Sequence, residues 1–151
     1  VTPRSGGMKN AATHNANTAN LIDLARNTQY NGKAAVEDPL LRDRIMRQLI
    51  RETALEENQR RTRVPALLEH PARLQLQNKL LRSEIAQETA ALALEVAGAS
   101  ASLYLGDQNA PAAGQWPLAY MSTYGNTIAA GTSEVQRNIL GERVLSLAKS
   151  K

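Results

Sequence analysis

A chain of 151 residues with a formal net charge of +4 and no cysteine has the length of one ordinary domain. It buries roughly 70% of its unfolded surface without covalent staples, and it excludes a disulfide scaffold, a cysteine nucleophile and a cysteine-built zinc or iron–sulfur site. Aromatic residues make up only 3% of the chain, which argues against a base-stacking single-strand binder, and no apolar run approaches the ~20 residues of a membrane span.

The opening carries no signal-like apolar segment, so the sequence reads as cytosolic. A start at Val1 rather than methionine reads as a processed product or a piece of a longer chain. Residues 1–18 are small and polar, and we expect a disordered or truncated arm there. Residues 19–148 are expected to form the folded domain.

From Thr18 the pattern turns helical, with Leu21, Ile22, Leu24 and Ala25 on one face and Asn20 as the expected N-cap. Asn31-Gly32 is expected to end this helix. A second helix starts at Asp38 as N-cap with Pro39 at the first helical position. Its apolar residues form two sets, Leu41, Ile45 and Leu49, and Leu40, Met46, Ile50 and Ala54. Their three- and four-residue steps require one stripe to face a core. The helix is expected to fade between Arg60 and Arg63, because Pro65 disfavours helical geometry just before it.

A third, long helix is expected from about Pro71, carrying Leu76, Leu80, Leu81, Ile85, Leu92, Ala93 and Val96. Gly98 ends it or marks a close approach, and Ala99 to Leu105 reads as a continuation. Residues 106–114 read as a loop, and Trp116-Pro117 opens another short segment. Thr132 or Ser133 is expected to cap a last helix with Val135, Ile139, Leu140, Val144 and Leu145 on one side. No convincing strand is visible. The expectation is an all-α, antiparallel (up-and-down) four-helix-type bundle.

Several constellations bear on chemistry. Residues 42–82 hold ten Arg/Lys against five acids. A phosphate-binding face is one reading; a solvated face with local pairs among Asp43, Arg47, Arg51, Glu52 and Glu56 is the favoured one. No groove-reading pattern supports DNA, so nucleic-acid binding is not expected. His14 and His70 lack a second ligand at metal spacing and read as surface residues, so no metal is expected. Glu84, Glu88 and Glu95 have no Glu-x-x-His partner and read as a solvated stripe. Gly131-Thr132-Ser133 is the most suggestive local feature. Free N–H groups and a positive helix end there suit an anion, and a plain helix cap accounts for the residues equally well.

The longer segment Ile128-Ala-Ala-Gly-Thr-Ser-Glu-Val-Gln-Arg-Asn-Ile-Leu-Gly-Glu-Arg-Val-Leu145 resembles the C-terminal signature of the acyl-CoA dehydrogenase family. That signature is Gly-Thr-Ser-Glu-Ile-Gln-Arg followed by an apolar helix, and Val135 stands for the isoleucine. Asn78–Glu84 and Ala93–Gly98 resemble the family's long helix and the glycine turn after it, and the actinobacterial-type members fit best. The resemblance implies the C-terminal helical domain of an FAD-dependent enzyme that α,β-dehydrogenates an acyl-CoA thioester. By that resemblance Gly131, Thr132, Ser133 and Glu134 contact FAD at a subunit interface, and the domain supplies the core of a homo- or hetero-oligomer.

Three positions depart from the family pattern. Many members carry the catalytic glutamate immediately before the glycine, where this chain has Ala130, and a methyl group cannot abstract a proton. Other members place the base on an earlier helix, absent after Val1. Glu95 and Ala99 replace the glutamine and second glycine of a turn that touches a neighbouring subunit's flavin. The resemblance therefore implies a part of an enzyme, inactive alone. A non-catalytic assembly subunit of a mixed oligomer is the alternative, and a basic nucleic-acid-binding module a third.

Overall fold

The computed structural model describes residues 16–68 and 74–149. His14, His70, most of the expected N-terminal arm and the expected helix start at Pro71 lie outside the described residues. The elements are α1 (Thr18–Asn27), β1 (Gln29–Tyr30), β2 (Lys33–Ala34), α2 (Pro39–Arg61), α3 (Leu74–Ala97), α4 (Gln115–Ile128) and α5 (Ser133–Arg143). The fold is all-α and up-and-down, as expected, with one minimal hairpin. No described helix is long and apolar enough to cross a membrane.

The first helix starts and ends earlier than the sequence suggests. Asn17, not Asn20, is its N-cap: the Asn17 Oδ1 accepts from the Asn20 backbone N–H at 2.8 Å. Thr28 closes the other end by donating its hydroxyl to the Leu24 carbonyl at 2.8 Å. Asn31-Gly32 does not end the helix but turns the hairpin. Both residues take positive φ, 51° and 78°, which the tight turn between β1 and β2 requires. The two strands pair over only two residues each, too short for a period-2 pattern to register.

The α2 start matches the sequence reading. Asp38 accepts from the N–H groups of Leu40 and Leu41 at 3.0 and 2.9 Å, with Pro39 at the first helical position. Of its two apolar sets, the one containing Leu41 and Ile45 is buried, while Leu40 and Ile50 stay 75% and 64% exposed. The α2 end falls at Arg61. Gly98 ends α3 with φ +56° and open space where a Cβ would stand, so it is a stop and not a close approach. The chain continues only as a short 3-10 turn to Ser102. Gly114 is the close approach instead, since a Cβ there would lie 2.4 Å from the Tyr104 carbonyl carbon.

The core is built where α1, α2 and α4 meet α3. Leu21, Leu24, Ala25, Leu41 and Ile45 pack against Ala90, Leu92, Ala93 and Val96, and Trp116 of α4 closes the cluster at 1% exposure. Small residues on α3 let its neighbours approach, and the single indole fills space that several aliphatics would otherwise need.

Charges fix the register of α2 on α3. Arg44 and Glu95 form a two-pronged pair, Nη1 to Oε1 at 2.5 Å and Nη2 to Oε2 at 2.7 Å. Seven residues on, Arg51 pairs with Glu88, which also accepts from the Gln48 amide at 3.1 Å. The numbers rise on one helix as they fall on the other, so the helices run antiparallel. The glutamates of α3 are therefore not a solvated stripe. Among the expected local pairs, Arg47–Asp43 is present at 2.8 Å, but Arg51 reaches across to α3. Glu52 accepts from the Thr18 N–H at 2.8 Å, placing a negative charge at the positive end of α1.

The Arg44 guanidinium holds the Glu95 carboxyl below its usual range. Burial raises the Glu88 carboxyl, but hydrogen bonds from Arg51 and Gln48 outweigh it and the net direction is downward. A depressed carboxylate contributes stability above its unfolded pKa, near ~4.3, and loses it as pH falls through the lower folded value. Both pairs are half exposed, so each contributes on the order of 0.5–1 kcal/mol. We predict that Glu95→Gln lowers stability by about that amount at pH 7. In urea titrations the gap to the wild type closes as pH is lowered from neutral through the carboxylate range.

Candidate functional site

The candidate site is the turn between α4 and α5 and the first turn of α5. α4 ends at Ile128, with the Ala129 N–H donating to the Gly125 carbonyl at 2.8 Å. Ala130 and Gly131 both take positive φ, 57° and 96°. Thr132 then returns to extended geometry as N-cap of α5, its hydroxyl accepting from the Val135 N–H at 3.3 Å. The sequence reading of Thr132 as a cap holds.

Two tethers from outside the turn hold its carbonyls. The Gln136 amide donates to the Ala130 carbonyl at 2.9 Å. The Lys79 ammonium of α3 donates to the Gly131 carbonyl at 2.5 Å. A third link, Arg137 to Glu84, ties the next turn of α5 to α3. Glycine at 131 is demanded by its φ and by space, since a Cβ there would lie 2.9 Å from the Gln136 Nε2. Lys79 also lines an open cavity of about 480 Å³ with Asn78, Arg82, Ser83, Ala86 and Asn126, so the turn borders a basic cleft.

The structure brings Gly131, Thr132, Ser133 and Glu134 together as neighbours on one turn. The Glu134 carboxyl is held below the usual range, first by its own backbone N–H, then by the Thr132 hydroxyl and by Arg137. Ala130 is exposed and carries no acid–base group. Glu95 is committed to Arg44. The last helix does not bury the stripe expected of it. Val135 is 46% exposed and Leu145 67%, and the one buried residue of α5 is Gln136. Lys79 and Gln136 escaped the sequence reading. Both lie inside segments that resemble the family; the Lys79 contact spans 52 residues of chain and leaves no local signal, and the Gln136 amide reaches back six residues to a carbonyl, which no side-chain pattern marks.

Comparison with known proteins places this geometry. The sequence profile of the acyl-CoA dehydrogenase C-terminal domain matches residues 5–145. The chain belongs to the acyl-CoA dehydrogenase family, as its C-terminal helical domain. Among its relatives is the acyl-CoA dehydrogenase IpdE1 of Mycobacterium tuberculosis, 32% identical over 131 residues, covering 87% of this chain and 31% of that protein. The IpdE1 of Mycolicibacterium smegmatis is 30% identical over 132 residues, covering 87% and 30%.

In structure the chain resembles one from the ChsE4-ChsE5 complex of Mycobacterium tuberculosis, with TM-score 0.75 and 22% identity over 88% of this chain and 35% of that one. It also resembles the Tcur3481-Tcur3483 steroid ACAD, with TM-score 0.72 and 19% identity over 88% and 34%. These two likenesses concern the fold. The chain spans about a third of the length of the relatives it matches.

The backbone of the turn makes two predictions. Ala130→Gly relieves a left-handed alanine and should raise stability by about 0.5–1 kcal/mol. Gly131→Ala should lower it by about 1–2 kcal/mol, because alanine meets both the positive φ and the Gln136 amide. Denaturant titrations of the two variants read both signs.

Proposed function

We propose that this chain is the flavin-facing C-terminal part of an FAD-dependent acyl-CoA dehydrogenase, contributing one edge of the FAD site through Gly131, Thr132, Ser133 and Glu134 and part of an oligomer core. The observation that carries this reading is the small-residue turn at the start of α5. From 129 to 131 the backbone bears two methyl groups and a hydrogen, so a large planar or phosphorylated group can reach it closely. The Ser133 N–H has no acceptor within the helix, and the Ser133 hydroxyl is without a partner among the described residues. Those donors suit the phosphate and ribose oxygens of a dinucleotide. The donor set therefore fits FAD as one edge of a site, and the remaining contacts belong to other parts of the enzyme.

A bound FAD supplies a hydride acceptor for the acyl β-carbon. The α-proton needs a base, and the Ala130 methyl cannot take it. In this chain Thr132 holds the first turn of α5, Ser133 presents its hydroxyl, and Gly131 keeps the backbone bare. The Glu134 carboxylate lies over its own N–H at the helix start and must share that end with any incoming anion.

Ala130 also supports a second reading, a base-lacking subunit paired with a base-bearing one. The structural neighbour ChsE4-ChsE5 is a complex, which supports a mixed oligomer as the assembly. A nucleic-acid role has less support, because Arg44, Arg47, Arg51 and Arg60 each pair with an acid.

In the complete enzyme, Ser133→Val should release FAD about tenfold more readily, as expected for one lost hydrogen bond to a charged group. Flavin absorbance after gel filtration reads this, and unchanged retention sinks the contact. Co-purification with a second, glutamate-bearing subunit supports the mixed oligomer; a homo-oligomer active by itself refutes it.

A further inference from the structure

We infer that Lys79 and Gln136 are positioning residues for the 129–134 turn, and that they, more than the contact residues themselves, decide whether the turn is held in a form that can meet a ligand. The inference rests on the flavin reading only for its consequence, since the clamp itself is a matter of this chain's geometry.

The turn is poorly supported by its own sequence. Ala129 to Gly131 provides no side chain beyond a methyl, and two consecutive residues have left-handed φ. An alanine in that region costs roughly 1–2 kcal/mol, so the local chain prefers other conformations. Side-chain donors brought from elsewhere compensate. Gln136 is a polar side chain 9% exposed on a helix otherwise half-buried or exposed. Its amide reaches back six residues to the Ala130 carbonyl, directly onto the strained residue.

Lys79 comes from α3, half-buried, and its ammonium meets the Gly131 carbonyl. A charged donor strengthens such a bond relative to a neutral one. The two donors fix adjacent carbonyls, one from the first turn of α5 and one from α3. With both carbonyls held, the N–H groups at the start of α5 have a fixed direction. The Arg137–Glu84 pair sets the next turn of α5 on α3, but it lies beyond the strained residues and cannot set their φ.

Both side chains spend a donor on the turn itself. The Lys79 ammonium is taken up by a carbonyl of the turn and the Gln136 side chain is buried beneath it. They differ in this from Ser133, whose hydroxyl is open. Removing either should loosen the turn without removing any contact group.

Hydrogen exchange on the full 151-residue chain tests the clamp. Lys79→Met should speed exchange of the hydrogen-bonded amides that flank the turn, those of Ala129, Val135 and Gln136, about tenfold, with α2 and the core of α3 unchanged, and Lys79→Arg should recover most of the protection. Unchanged exchange in Lys79→Met overturns the clamp. Should Lys79→Met fail to fold, Gln136→Met carries the same expectation and the same refutation.

Flavin retention in the complete enzyme separates the clamp from the flavin reading. A loosened turn with weakened FAD retention and an unchanged melting temperature supports both. A loosened turn with full retention leaves the clamp standing and overturns the claim that the turn meets FAD.

Discussion

The domain depends on α3 serving four helices at once. Its Ala90, Ala93 and Val96 face lets α1, α2 and α4 pack close. Glu88 and Glu95 take the arginines of α2, and Lys79 and Glu84 take the turn and first coils of α5. The last two turns of α3, from Ala90 to Ala97, are accordingly almost all small or apolar. Its polar residues are not leftover surface but the points where register is set. Shifting α3 by one residue would separate every one of these pairs together.

Those anchors explain why so mobile a sequence as Ala-Ala-Gly can end in a defined shape. Local preference would not select two left-handed residues in a row. The bundle selects them, because the Gly131 carbonyl satisfies Lys79 and the Ala130 carbonyl satisfies Gln136. Energy stored in the turn is offset by charged and amide hydrogen bonds, an arrangement common where backbone must be presented to a ligand. The family's signature segment thus divides by role. Gly131 and Thr132 form the turn and the cap, Gln136 holds the Ala130 carbonyl, and Arg137 sets the next turn of α5 on α3.

The departures from the family pattern are consistent with one another. By the resemblance, Ala130 stands where many members carry an acid and Glu95 where they carry a glutamine; in the structure Ala130 offers a methyl and Glu95 pairs with Arg44. Neither change disturbs the bundle. Neither residue is part of the buried core.

Much of the architecture was legible in the residues. Helical spacing and the Asp38-Pro39 start are written in neighbouring positions, which also narrow the last cap to Thr132 or Ser133 and Gly98 to a stop or a close approach, because capping, φ preference and three- or four-residue periodicity act within one or two turns. The signature from Gly131 to Arg137 identified the family for the same reason. Other features depended on the fold. Asn17 displaced Asn20 as cap, and Asn31-Gly32 became a hairpin turn, because the chain had to bring α2 back beside α1. Which apolar stripe of α2 is buried was settled by where α3 lies. The glutamates of α3 looked solvated until α2 stood opposite them, and Lys79 met Gly131 only after 52 residues had folded between them. Sequence determines what each segment prefers alone. Tertiary structure decides which charges meet, since pairing energies depend on distance through space and not along the chain.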